Sequence, residues 1–525
     1  MVHFGFSYVG LAFIAMLLIP NFIWTKNKPA DYDRYVSNEN RFLLILERIG
    51  EAGNMVLALV FADFNIRPFT LWSLWLVAAA LLMVLYELYW IRYFRSGKTM
   101  ADMYSSFAGF PVAGASLPCI AFFCLGIYGS NIFLIVSTII LSIGHIGIHI
   151  GHRNEVVPKA KKNKAFAVIR TIVLIPVTVI LLVIIIAIAG RNINWFSHYI
   201  DTSEGINETC YVNIGGQEQY LLIRGKDINN PVILYIHGGP GGPDSPIADV
   251  FTEPLIDDYT VVCWDQRGCG RTYFRNESVD PMNETVDFET AVSDTDELVE
   301  YLMERFDTDK VILMCHSYGT VVGTAYIQEH GDKVAAYIGI GQFIDYKESE
   351  YLSYEDALAK AKAAGDDTKA LEDAYDLFLK GDSFTNIMKL RGATSQYHVA
   401  KYSADTIMLA LFSPYTGVDD IRWVLKQMDM DNYYLLEQDL MDTLFEIKLY
   451  DNNLTYDVPM LFVSGDCDYI CNYTLAQQYC EDISAPAKEF VLMEGCGHAP
   501  QYAMPDEFGA NVKSFLSGVL VSSEG

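Results

Sequence analysis

Six stretches of roughly twenty predominantly apolar residues, near 6–24, 42–62, 70–91, 106–128, 131–151 and 166–189, crowd the first 190 positions of a 525-residue chain. Each is close to the ~20 residues an α-helix needs to cross a hydrocarbon core. In lipid every backbone N–H and C=O must find its partner inside the segment or a closed barrel, so apolar runs of this length are open only to helices. Residues 1–190 are therefore expected to form a transmembrane helical bundle of about six spans. The second stretch fits least well. Glu47, Arg48, Glu51 and Asp63 lie in or beside it and need bundle partners or an interfacial position.

Basic residues mark alternate connections: Lys26, Lys28 and Arg34, then Arg92, Arg95 and Lys98, then Arg153, Lys159, Lys161, Lys162 and Lys164. The positive-inside tendency places those loops in the cytoplasm, which leaves the N-terminus and everything beyond residue 190 on the outer side of a multi-pass cell-membrane protein. Charge divides the chain at the same point. Residues 1–190 hold 15 Lys and Arg against 9 Asp and Glu, and the remainder holds 22 against 56. So acidic a domain repels phosphates, which excludes nucleic acid as a partner. The lipid bilayer is the expected partner of the first region, and nothing in the sequence points to a particular protein partner. Eight of the ten cysteines (Cys210, Cys263, Cys269, Cys315, Cys467, Cys471, Cys480 and Cys496) lie beyond residue 190, where disulfides and buried free thiols are both open.

From about Tyr211 the pattern changes to short β-rich runs alternating with amphipathic segments: "PVILYIHGG", "YTVVCWDQ", "KVILMCHSYG", "VAAYIGIG", "VPMLFVSGD" and "AKEFVLMEG". Near-continuous apolar strands separated by helices predict a mostly parallel sheet covered on both faces. In such folds reactive groups sit at strand ends. Ser317 follows "VILM" and precedes a helical segment, so its hydroxyl is lifted off the sheet near a helix N-terminus. Its alternative role is a helix cap. Downstream, one strand ends with Asp466 and Asp468 and the next with His498, the serine, acid, histidine order of an acyl-transfer triad. "HGGPGG" (237–242) offers a glycine-rich backbone for an oxyanion hole, with the Gly239 and Tyr318 N–H groups as candidate donors. A nucleotide-phosphate loop is the competing reading, but no Lys-Ser/Thr follows it.

With these residues in place, roughly 210–520 resembles the α/β-hydrolase superfamily and, within it, the proline iminopeptidase-like serine peptidases. The carriers are "HGGPGGP" (237–243), "WDQRGCGRT" (264–272), "HSYGT" (316–320), "GDCD" (465–468) and "GCGH" (495–498). The resemblance implies an α/β-hydrolase domain over 191–525, Ser317 as nucleophile, His498 as general base and, from the family's G-x-x-D pattern, Asp468 as the acid. It also implies a scaffold role for Asp265 and Arg267 and a helical cap inserted at about 343–457. Glu348 and Glu350, at the start of that cap, are candidates for holding a substrate's free amino group, with a solvated helix face as the alternative for each. Cys315 departs from the family's elbow, where a glycine stands.

The function expected from this resemblance is a membrane-anchored extracytoplasmic serine hydrolase, an aminopeptidase of the prolyl iminopeptidase type, needing no metal or organic cofactor. Its substrate is a small peptide or, in the alternative reading, a carboxylic ester or lipid. A reading from another class makes the outer domain a catalytically silent sensor or binding module. Apart from these, His145, His149 and His152 fall at i, i+4 and i+7 in the fifth stretch. Such a stripe suits a transition metal, haem or proton relay, and equally interfacial packing.

Overall fold

The computed structural model describes residues 2–35, 39–156, 164–381 and 383–520, with the side chains of 164–176 excepted. The chain divides into two compact units, Met1–Ser197 and His198–Gly525.

The first unit is helical: α1 (Tyr8–Thr25), α2 (Arg41–Val60), α3 (Leu74–Phe94), α4 (Met100–Tyr104), α5 (Ala113–Tyr128), α6 (Ile132–Val156) and α7 (Lys164–Ser197). Two starts are fixed by side-chain caps. Ser7 Oγ accepts from Gly10 N at 2.9 Å, and Asn40 Oδ1 accepts from Phe42 N at 2.9 Å, each satisfying an N–H that has no partner within its helix. Among the described residues, four helices are long and apolar enough to cross a membrane: α1, the helical stretch Leu71–Phe94, α6, and Val177–Ser197 within α7. The two remaining stretches fall short for different reasons. α5 has only 16 residues, and α2 carries Glu47, Arg48 and Glu51. Lys159, Lys161 and Lys162, expected in the cytoplasm, lie outside the described residues.

The second unit is built on one eight-stranded sheet. Its strands are β1 (Ile206–Ile214), β2 (Gln217–Gly225), β3 (Val232–Ile236), β4 (Thr260–Asp265), β5 (Val311–His316), β6 (Val334–Ile340), β7 (Met460–Gly465) and β8 (Lys488–Met493). Their order is β1-β2-β4-β3-β5-β6-β7-β8. β1–β2 and β2–β4 pair antiparallel, and every other pair is parallel. All residues of β3, β4, β5 and β7 are buried, as their unbroken apolar runs require of strands covered on both faces. Each buried Val, Leu or Ile there contributes about 1.5–3 kcal/mol relative to exposure.

The chain runs from β3 to one side and returns to the other side at β5. That reversal opens a crevice at the carboxyl ends of β3 and β5, the place where open α/β sheets bind ligands. Between β6 and β7 a cap of helices is inserted, running from Tyr346–Ala364 to Gln438–Glu446. All ten cysteines are free thiols.

Candidate active site

β5 ends at His316, and Ser317 turns the chain into the helix Tyr318–His330 with φ 52° and ψ −120°. A non-glycine residue with positive φ costs of order 1–3 kcal/mol and persists only where its surroundings over-determine it. Here they do. Ser317 N donates to Ile340 O at 2.9 Å, and Thr320 returns its N–H (2.8 Å) and hydroxyl (2.6 Å) to Ser317 O. Phe343 N in turn donates to Thr320 Oγ1 at 3.0 Å. A β-carbon on Gly238 would lie 2.9 Å from Ser317 Cβ, so only glycine lets the β3 loop come so near.

The cysteine that departs from the elbow pattern is accommodated from the other side. A β-carbon on Gly323 would lie 2.5 Å from Cys315 Sγ. The helix gives up a side chain where the strand has gained one.

His498 and the two aspartates are separated by geometry. Asp468 is 3% exposed. Its Oδ2 lies 2.8 Å from His498 Nδ1, and its Oδ1 accepts from Ile470 N at 2.8 Å and Cys471 N at 3.0 Å. Asp466 instead accepts from Gly495 N at 2.7 Å and holds the loop that presents the histidine. His316 Nε2 is 3.1 Å from His498 O, the two rings lying 5.0 Å apart. Burial, helped by repulsion from His498, pushes His316 down to about 4, so it remains neutral beside the site. Ser317 Oγ makes no hydrogen bond to the His498 ring. Its side chain is a polar neighbour of the Cys471 thiol instead. Such contacts are often long without substrate and tighten on binding. Asp468, Cys471 and His498 each bring one metal-binding atom within 4.8 Å of the others. This is a poor cation site, because burial holds the Cys471 thiol well above its ordinary value and so disfavours the thiolate a metal would need.

The loop after β3 is fastened by its carbonyls, which leaves amides free. Trp423 Nε1 and Gln427 Nε2 donate to Gly241 O at 2.8 and 3.1 Å, and the Tyr433 hydroxyl donates to Pro240 O. All three come from the cap. The N–H groups of Gly239 and Tyr318 have no protein acceptor among the described residues. Asp265 and Arg267 are scaffold in position. Arg267 makes a two-pronged pair with Asp294 at 2.7 and 2.8 Å, and Asp265 takes the Ser245 hydroxyl at 2.5 Å and Arg271 N at 3.0 Å.

The cap acids divide. Glu348 is exposed, lining a surface cavity of about 510 Å³ with Tyr351 and Lys380. Glu350 is 1% exposed and tied to Arg391 at 2.6 Å, with both charges close enough to act on the Cys471 thiol. A third acid escaped the sequence reading. Glu437 is 1% exposed, and neither of its carboxylate oxygens has a hydrogen-bond partner among the described residues. A β-carbon on Gly241 would lie 2.8 Å from its Cδ, so it faces the loop after β3. Burial pushes its carboxyl well above the usual range. The one signal in the sequence is an acidic residue directly after the apolar run "YYLL".

Residues 231–503 match the family model described as alpha/beta hydrolase fold. Over 309 residues the chain is 25% identical to the Bacillus subtilis (strain 168) protein named "Probable aminopeptidase YbaC", covering 57% of this chain and 92% of that one. A proline iminopeptidase of Saccharolobus solfataricus is 33% identical over 130 residues, 24% of this chain and 36% of that protein. Among solved structures, a bacterial membrane phospholipase A aligns over 68% of this chain and 99% of its own, at 18% identity and a TM-score of 0.44.

Proposed function

Because the chain belongs to the alpha/beta hydrolase fold family, we propose that it is a serine hydrolase that works through an acyl-enzyme, an aminopeptidase of the prolyl iminopeptidase type. The observation that carries the chemistry is Ser317 held in a strained elbow at the end of β5, with the Asp468–His498 pair at 2.8 Å supplied from the ends of β7 and β8.

In this reading His498 Nε2 takes the Ser317 proton as Oγ attacks the acyl carbon. Asp468 keeps the proton on Nδ1 and stabilises the imidazolium. The Gly239 and Tyr318 amides receive the oxyanion, each donor contributing ~3 kcal/mol or more at the transition state. His498 then protonates the leaving amine, and water repeats the sequence to release the acyl group. Glu437 supports an amine-bearing substrate. A buried carboxyl with no partner beside the oxyanion loop is stabilised by whatever cation reaches it. The apolar helices of the first unit anchor the enzyme in a bilayer, with the hydrolase unit on the outer side. Cysteine-accessibility labelling that places residue 250 in the cytoplasm would overturn that orientation.

The test compares kcat/KM of the full chain for a prolyl-amide fluorogenic substrate, its N-acetylated form, and short- and long-chain acyl esters, with Ser317→Ala as control. Activity that needs both Ser317 and the free amine supports the aminopeptidase. Activity that survives in Ser317→Ala rejects the serine mechanism.

One observation favours an ester or lipid substrate instead. On the cap helix Val418–Met428 the side chains Ile421, Val424, Leu425 and Met428 are 53, 53, 60 and 72% exposed, an apolar stripe at helical spacing that faces solvent. Ser317-dependent cleavage of long-chain esters in vesicles, lost on replacing that stripe with serines, would select this reading.

A further inference from the structure

The histidine stripe in α6 meets a carboxylate from another helix. α2 and α6 come almost into backbone contact, for a β-carbon on Gly144 would lie 2.4 Å from Glu47 N, and one on Gly50 would lie 2.5 Å from Leu141 Cα. That approach sets Glu47 Oε1 2.5 Å from His145 Nδ1. At the other end of the stripe, Glu39 Oε1 lies 3.2 Å from His152 Nε2. His149 stands between them with no hydrogen-bond partner among the described residues. Its neighbours are rings, Tyr104 at 5.5 Å and His145 at 4.4 Å. All five groups line one cavity of about 430 Å³ within the bundle. Polar groups in a membrane-embedded cavity are costly and mark functional sites.

The geometry points to a divalent transition-metal site of the zinc class in this cavity, with Glu47, His145 and His149 as ligands. One metal-binding atom from each of the three lies within 4.8 Å of the other two, so a single ion can be reached by all of them after small side-chain adjustments. Two imidazoles and a carboxylate are the donor set of zinc sites that keep a fourth position open. Hydrogen bonding alone accounts for Glu47 with His145 and for Glu39 with His152. It leaves His149 idle, and the metal uses it. Charge also balances, since Glu47 and Glu39 together match a divalent cation where low polarity makes mismatch expensive. Glu51, the third acid lining the cavity, is already paired with Arg48 at 3.0 Å. On binding, the ion replaces the proton that His145 and Glu47 share, and that proton leaves to solvent.

The experiment uses the full chain in detergent, loaded with zinc chloride and dialysed. The expected result is about one retained zinc, lost in the Glu47→Gln/His149→Gln double variant and kept in Cys471→Ser. The X-ray absorption spectrum of the zinc-loaded wild type is an independent check that does not depend on the variants folding, and it should show nitrogen and oxygen donors with two imidazoles. No zinc retained by the wild type, full retention by the double variant, or a sulfur donor indicating the Asp468–Cys471–His498 cluster would each overturn the site.

Discussion

Cys315 Sγ fills the space that a β-carbon at Gly323 would need, the two positions being 2.5 Å apart. A thiol under the Ser317 turn is therefore tolerated because the helix behind it has no side chain there. Gly323→Ala should destabilise the hydrolase unit by ~1–3 kcal/mol through overpacking. Combined with Cys315→Gly, the cost should fall below the sum of the two single changes. Thermal unfolding of the four proteins checks this, and strict additivity would show that the two positions do not compete for space.

Asp468 and Asp466 are two residues apart and hold different partners. Asp468→Asn should lower kcat by about three to four orders of magnitude, since the imidazole loses the acceptor that fixes its tautomer. Asp466→Asn, whose carboxylate holds Gly495 N and neighbours the Cys467 thiol, should cost less than about tenfold and act mainly through loop order. Equal losses in the two variants would remove the assignment of the acid.

His316 stays neutral in the folded state down to about 4 and titrates near 6.5 when unfolded. Between those values the unfolded chain binds the extra proton, so stability rises with pH across this window and its His316 component is lost on acidification, up to roughly 3 kcal/mol. His316→Gln should flatten that part of the curve. Buried Asp265, raised to about 7, contributes with the opposite sign, so the informative quantity is the difference between wild type and variant, followed by urea unfolding from pH 4 to 7.

Burial raises the Glu437 carboxyl well above the ordinary range, which favours its protonated form. A cationic amine seated against it should drive that proton off. Titration calorimetry with a prolyl amine inhibitor, repeated in buffers of different ionisation enthalpy, should show about one proton released per amine bound. Glu437→Gln should abolish the release and raise KM at least tenfold for the free-amine substrate while sparing its N-acetyl form. Proton uptake or no exchange in the wild type would remove Glu437 from substrate binding.

The strand ends carrying Ser317, Asp468 and His498 were legible because apolar runs stop where the sheet stops, and the turn at Ser317 and the glycine-rich loop after β3 are local patterns of a few residues. What was not legible depends on pairs far apart in the chain. The match of Gly323 to Cys315 is steric and leaves no trace in either segment alone. Glu350 read as one of two similar acids on the first cap helix, and only Arg391, 41 residues on, makes it a buried ion pair. Glu47 looked like a flaw in the second apolar stretch until His145, 98 residues later, supplied its partner. The six apolar stretches predicted helices correctly, and among the described residues four of these are long and apolar enough to cross a membrane.

Three donors from the cap, Trp423, Gln427 and Tyr433, hold the carbonyls of Gly241 and Pro240, and those carbonyls belong to the loop that supplies the Gly239 amide in the proposed mechanism. Cap and loop thus form an interlock. The three hydrogen bonds tie the order of that loop to the position of the cap, so a change in one is felt by the other. In the proposed serine-hydrolase reading the cap therefore does more than cover the site, because it sets the shape of the glycine-rich loop beside Ser317.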